Sequence, residues 1–139
     1  MERMEMNIIC LDSDVVVDYL RGREPVKSEL RELINSGKII TITSITIYEL
    51  YLGANLSKNP GKETEKLDNL RVYLQEIEFN SIAAEIAGET DAHLKKSGMQ
   101  VDLRDVLIAS VCIANKIPLF TKNASHFSRI RGLELYENF

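Results

Sequence analysis

Tryptophan is absent from this chain of 139 residues, histidine and cysteine occur twice each, and basic residues do not outnumber acidic ones. Each scarcity closes off a class of explanation. Cys10 and Cys112 both lie inside apolar stretches, and at that count and spacing neither a disulfide nor a metal pair is expected; both read as small buried hydrophobes. Seventeen Lys and Arg against twenty-one Asp and Glu leave a net charge of −4. That argues against non-specific coating of nucleic acid, although phosphate affinity follows where cations cluster more than their total. No apolar run reaches the roughly 18 residues that span a bilayer. The opening Met1-Glu2-Arg3-Met4-Glu5-Met6 is too polar and acidic for a secretory signal. The expectation is a flexible leader over residues 1–6, with Met6 a candidate start, then one domain over 7–139 in the cytoplasm, with no membrane association. No repeat, low-complexity tract or linker interrupts it.

What the chain does have is Ile8-Ile9-Cys10-Leu11 running straight into Asp12-Ser13-Asp14. A short uninterrupted apolar run suits a strand buried on both faces. Asp and Ser are poor strand residues and good helix caps, so a helix carrying Val15 to Leu20 should follow, ending at Arg21-Gly22. The same rhythm repeats. A helix is expected from Pro25, as its first residue, to Ile34. A β-branched strand covers Ile39–Thr43, and a helix follows it to about Leu56. Glu63 to Leu74 reads as a solvated helix, Glu76–Phe79 as a weak strand, and Ser81 to Lys96 as a helix with Ile82, Ile86 and His93 inward. The most apolar helix starts at Asp102 or Arg104 and should be central. Ile117–Thr121 reads as a strand, Ser125 to Ile130 as one or two helical turns, and Gly132–Tyr136 as an edge strand. This βαβα order predicts an α/β fold in three layers, α/β/α, around a mostly parallel sheet of four or five strands.

In a parallel sheet all carboxyl ends point the same way, and chemistry collects just beyond them. Four polar residues stand there beside apolar elements: Asp12, Glu49, Asp105 and Asn123. Each has a bland account. Asp12 can cap a helix, Thr46 to Glu49 fits a capping box, Asp105 suits a first-turn dipole, and Asn123 suits a turn. Yet Ile45 and Ile47 already read as helix, which puts Glu49 inside it beside Leu50, where an acid needs a partner. Converging acids without matching bases are costly unless a cation neutralises them. Hard oxygen donors with few histidines suit Mg²⁺ or Mn²⁺ rather than zinc.

These stretches resemble a known family. Leu11-Asp12-Ser13-Asp14 through Tyr19-Leu20-Arg21-Gly22 is similar to the opening of PIN-domain nucleases, nearest to the VapC-type toxins of toxin–antitoxin pairs. Thr43-Ser44-Ile45-Thr46-Ile47-Tyr48-Glu49-Leu50 resembles their second block. Asp105-Val106-Leu107-Ile108-Ala109-Ser110 and Leu119-Phe120-Thr121-Lys122-Asn123-Ala124-Ser125-His126-Phe127 resemble the third and fourth. The resemblance covers nearly everything from Asn7. It implies a Mg²⁺- or Mn²⁺-dependent endoribonuclease, a PIN-like fold, a homodimer, and a small VapB-like antitoxin. Carried across, Asp12, Glu49 and Asp105 match the metal-site acids. Asn123 stands where many members have a fourth acid, which leaves open whether a second metal binds. Ser13 and Thr121 match supporting hydroxyls.

The chemistry implied is metal-assisted hydrolysis of an RNA phosphodiester, with Asp12 and Asp105 holding the ion, Glu49 completing its coordination or orienting water, and Asn123 bonding the phosphate or a metal-bound water. Substrate cations are expected among Arg21, Lys122 and Arg129, with Arg23, Lys27 and Arg131 also on the rim. His126 stays outside the catalytic set as a turn or surface histidine. Two other readings stand beside this one. Asp12-Ser13-Asp14 also resembles the first motif of haloacid-dehalogenase-type phosphatases, where Asp12 would be a nucleophile, although no glycine follows. The chain could also be a catalytically inactive PIN-like binding module with purely structural acids.

Overall fold

The fold was obtained as a computed structural model describing residues 7–137. The expected leader at 1–6 lies outside the described residues. Strand β1 (Ile8–Leu11) ends where expected, because Asp12 turns the chain as the N-cap of helix α1 (Ser13–Leu20). The remaining elements are α2 (Val26–Asn35), β2 (Ile39–Thr43), α3 (Ser44–Asn55), α4 (Pro60–Arg71), β3 (Gln75–Ile77), α5 (Ser81–Lys96), α6 (Leu103–Asn115), β4 (Leu119–Phe120) and α7 (Ala124–Phe127).

The sheet is fully parallel in the order β3-β2-β1-β4. From β1 the chain steps to β2 on one side, and β4 later lands on the other. The carboxyl ends of β1 and β4 therefore flank the point where strand order reverses, the usual place for a crevice in such sheets. Alternation along the strands builds the two cores. Ile9, Leu11, Ile40, Ile42 and Phe120 face one core with α1, α2 and α4. Cys10 and Leu119 face the other with α5 and α6. Cys10 and Cys112 are free, buried thiols. Among the described residues no helix is long and apolar enough to cross a membrane.

Several expectations shift. Pro25 caps α2 from outside and does not open it. α4 starts at Pro60, three residues earlier than expected and with proline in the first turn, where its missing N–H costs nothing. The strand signal at Glu76–Phe79 moves to Gln75–Ile77. In α5 the inward residues are Ala83, Ala87 and Leu94, while Ile82 is 60% exposed. Small residues let α5 lie close on α6, and packing overrides side-chain size in choosing the face. Ile117–Thr121 shortens to Leu119–Phe120, since Pro118 has no N–H for a ladder. The expected edge strand Gly132–Tyr136 is reduced to one parallel bridge between Leu135 and Leu119.

Candidate active site

Asp12 sits at the switch point, 6% exposed. Its backbone N–H donates to Phe120 O at 2.9 Å, which ties the end of β1 to β4. One carboxylate oxygen accepts from Ser13 N–H at 2.8 Å and the other from the Thr121 hydroxyl at 2.8 Å. The Thr121 hydroxyl in turn accepts from Asn123 N–H at 3.0 Å. Two bonds therefore fix the carboxylate plane before any ligand arrives. Burial pushes the Asp12 carboxyl above its ordinary value, against the lowering effect of Thr121 and Ser13.

Glu49 belongs to the interior of α3, because the cap of that helix is Thr43, whose hydroxyl accepts from Thr46 N–H at 3.0 Å. No Thr46–Glu49 capping box forms. The Glu49 side chain is 16% exposed and lies 3.5 Å from Arg104 Nε. Its carboxyl is raised by burial, eased by a hydrogen bond from Ser13 and the Arg104 charge, and raised again by the charges of Asp12 and Asp105. Asp105, in the first turn of α6, meets His126 Nε2 at 3.1 Å. Burial raises it most, then the charge of Asp12, with His126 opposing.

Three acids from three elements thus feel one another's charge. Among the described residues no cage of three acids or histidines is drawn tight around a single point; Glu49 leans toward Arg104 and Asp105 toward His126. The donor set is all carboxylate oxygen, with two cationic or cationisable side chains now balancing it. That set fits a hard divalent ion such as Mg²⁺ or Mn²⁺, which would take over the neutralising role.

A second acidic layer escaped the sequence reading. Asp14 accepts from Lys122 N–H at 3.2 and 3.4 Å, and burial together with the Asp12 charge pushes it up to about 6. Asp18 is 5% exposed and bridges Lys122 Nζ at 2.6 Å and Arg23 at 3.5 Å. The Lys122 ammonium holds the Asp18 carboxyl below its usual range. Lys122 is accordingly committed to Asp18 in this state. Arg21 is exposed and lines a cavity of about 460 Å³ that also touches Ser13 and Glu49. Arg129 is placed elsewhere: it donates to Gln100 O at 3.1 Å and lines a different cavity. Asn123 is exposed and its side chain does not cap α7. Arg104 and His126, the partners of Glu49 and Asp105, were missed as well. Histidine at position 126 was the one available signal, and its meaning depended on where α7 lands.

The PIN domain family matches residues 9–133. Ribonuclease VapC2 of Rickettsia felis is 31% identical over 128 residues, covering 92% of this chain and 96% of that protein. Ribonuclease VapC1 of Methanocaldococcus jannaschii is 32% identical over 142 residues, covering 99% and 92% respectively. Among solved structures, VapBC2 from Rickettsia felis bound to a DNA fragment from their promoter superposes with a TM-score of 0.85 at 31% identity, over 93% of this chain and 97% of that one.

Proposed function

Because this chain belongs to the PIN-domain family, in the company of VapC ribonucleases, we propose that it is a divalent-metal-dependent endoribonuclease, acting in the cytoplasm as the toxin of a VapBC-like pair. What carries this is that Asp12, Glu49 and Asp105, brought together from three elements, are each pushed up by burial, Glu49 and Asp105 further by the charge of Asp12. In our reading these three hold Mg²⁺ or Mn²⁺. When bound, the ion supplies Lewis acidity toward a phosphate oxygen and toward water.

The remaining work falls to the protein. Ser13 and Thr121 lock the Asp12 carboxylate in one orientation, so no reorganisation is needed as charge builds on the phosphate. Glu49, poised above the normal carboxylate range, orients the attacking water and accepts its proton. His126 sits on Asp105 and can return a proton to the leaving oxygen. Asn123 offers an amide N–H to a phosphate oxygen, and Arg21 lends positive charge at the mouth of the adjoining cavity. Lys122 contributes by holding Asp18 and the end of β4 in place.

A small VapB-like antitoxin is the proposed inhibitor. We assign the homodimer contact to α3 and its C-cap, where Tyr48, Leu52 and Leu56 recur every fourth residue and are 57%, 38% and 78% exposed. The haloacid-dehalogenase alternative finds no support, since its acid/base residue would be Asp14, which is tied to Lys122 N–H. The test is cleavage of RNA in Mn²⁺ and Mg²⁺ against EDTA. Asp12→Asn and Asp105→Asn should abolish cleavage while the circular dichroism spectrum is unchanged. Cleavage at the parental rate by both variants would end this reading, and a parent that cuts no RNA in either metal would favour an inactive binding module.

A further inference from the structure

A cavity of about 250 Å³ opens between α5, α6 and the turn after α7, separate from the one beside Glu49. Its apolar walls include Ile86, Leu94, Ile113 and Ile130, and Arg129, Arg131 and His93 line it as well. Ile130 is 3% exposed, so its burial pins the two arginines on either side of it. Arg131 Nη2 lies 3.4 Å from His93 Nδ1. Among the described residues neither arginine is in an ion pair, although Glu89 lines the same cavity. Two exposed guanidiniums at one opening, against a single carboxylate from Glu89, make the mouth locally positive in a chain of net charge −4.

We propose that this cavity is a phosphate-binding site that takes a backbone phosphate of the RNA at a distance from the cleaved bond. Planar guanidiniums bind phosphate oxygens in pairs, which is the recognition this geometry offers. Arg129 is anchored to Gln100 O, in the segment that leads into α6 and Asp105. Gln100 and Asp105 are five positions apart, so their backbones lie within about 18 Å of each other. About five stacked nucleotides, at about 3.4 Å each, cover that span. The site would add affinity and register without touching the reacting atoms. It rests on the ribonuclease reading for the identity of the phosphate, but not for its existence.

The experiment is RNA binding by fluorescence anisotropy across a salt series. It uses the full chain and the Asp12→Asn background, with Arg131→Ala, Arg131→Lys and Glu89→Gln variants. Arg131 leads because Arg129 also holds a loop. Arg131→Ala should weaken binding about tenfold at low salt and lower the slope of log K against log salt by about 0.7. It should raise KM while kcat stays at the parental value. Arg131→Lys should recover part of the loss, and Glu89→Gln should tighten binding. Parallel NMR titrations should shift the side-chain resonances of Arg129 and Arg131 with an RNA oligonucleotide far below the concentration of inorganic phosphate that does so. If the parent cuts no RNA but these resonances still respond to the oligonucleotide and the slope still falls, the nuclease reading fails and this site stands. Unmoved resonances with an unchanged slope overturn the site, whether or not the parent cuts. So does a response to free phosphate alone, or an Arg131→Ala variant that loses only affinity for an acidic antitoxin peptide.

Discussion

Replacing Asp14 with asparagine should stabilise the metal-free protein. Asp14 lies in the first turn of α1, where the helix dipole favours an anion. Burial and the charge of Asp12 nevertheless move its carboxyl from 3.8 to about 6. Keeping it ionised at pH 8 therefore costs about 3 kcal/mol. Asparagine preserves the shape and still offers an oxygen to Lys122 N–H. Asp14 is only partly buried, and solvent screening removes about 1 kcal/mol of that cost, leaving a net gain of about 2 kcal/mol. At about 3 °C per kcal/mol for a chain of this size, the melting temperature should rise by about 6 °C.

The sign with pH follows from linkage. The folded carboxyl binds its proton more tightly than the unfolded one, so stability falls as pH rises between the two values. The penalty is absent below about 3.8 and complete above about 6. The advantage of Asp14→Asn should therefore vanish near pH 4 and be full at pH 7 to 8. Thermal melts followed by circular dichroism in EDTA, from pH 4 to 8, measure this directly. A variant that is equally or less stable at pH 8, or whose advantage does not depend on pH, refutes the electrostatic account of this layer.

Other perturbations have defined outcomes. Lys122→Met leaves Asp18 with only Arg23 at 3.5 Å and should cost about 1–2 kcal/mol in denaturant melts, less than a fully buried pair because Lys122 is partly exposed; a loss below about 0.5 kcal/mol, roughly that of an exposed pair, would mean that solvent already screens Asp18. Thr121→Val removes the hydroxyl from Asp12 and should lower kcat by about tenfold with the fold intact, measured on a short RNA; an unchanged kcat would show that Asp12 needs no such orientation. Leu52→Glu on α3 should convert the proposed homodimer to a monomer in light scattering; a dimer that persists would move that contact elsewhere, and a monomeric parent would remove it.

The fold was largely readable because its rules are local. Ile8 to Leu11 announced a strand buried on both faces, and the acid after β1 and the hydroxyl that ends β2 announced the caps that turn the chain toward the site. Asp12 and Glu49 stood out because a charge sits beside apolar residues on a short element. What escaped depends on contacts distant in sequence. Asp18 is a polar residue on a helix until Lys122, more than a hundred positions later, folds onto it. His126 reads as a turn histidine until α7 lays it on Asp105. The phase of α5 was misread because its buried line is alanine, whose small size permits close packing and carries little hydropathy signal. Arg129 read as a rim cation near the acids, and its bond to Gln100 places it on another cavity.

Isothermal titration of Mn²⁺ into the parent and into Asp12→Asn, Glu49→Gln and Asp105→Asn, near neutral pH, tests the shared carboxylate centre most directly. The account predicts saturable binding by the parent, weakened at least about tenfold in each variant. Binding that is unchanged in all three, or a parent that takes up no ion, would contradict it.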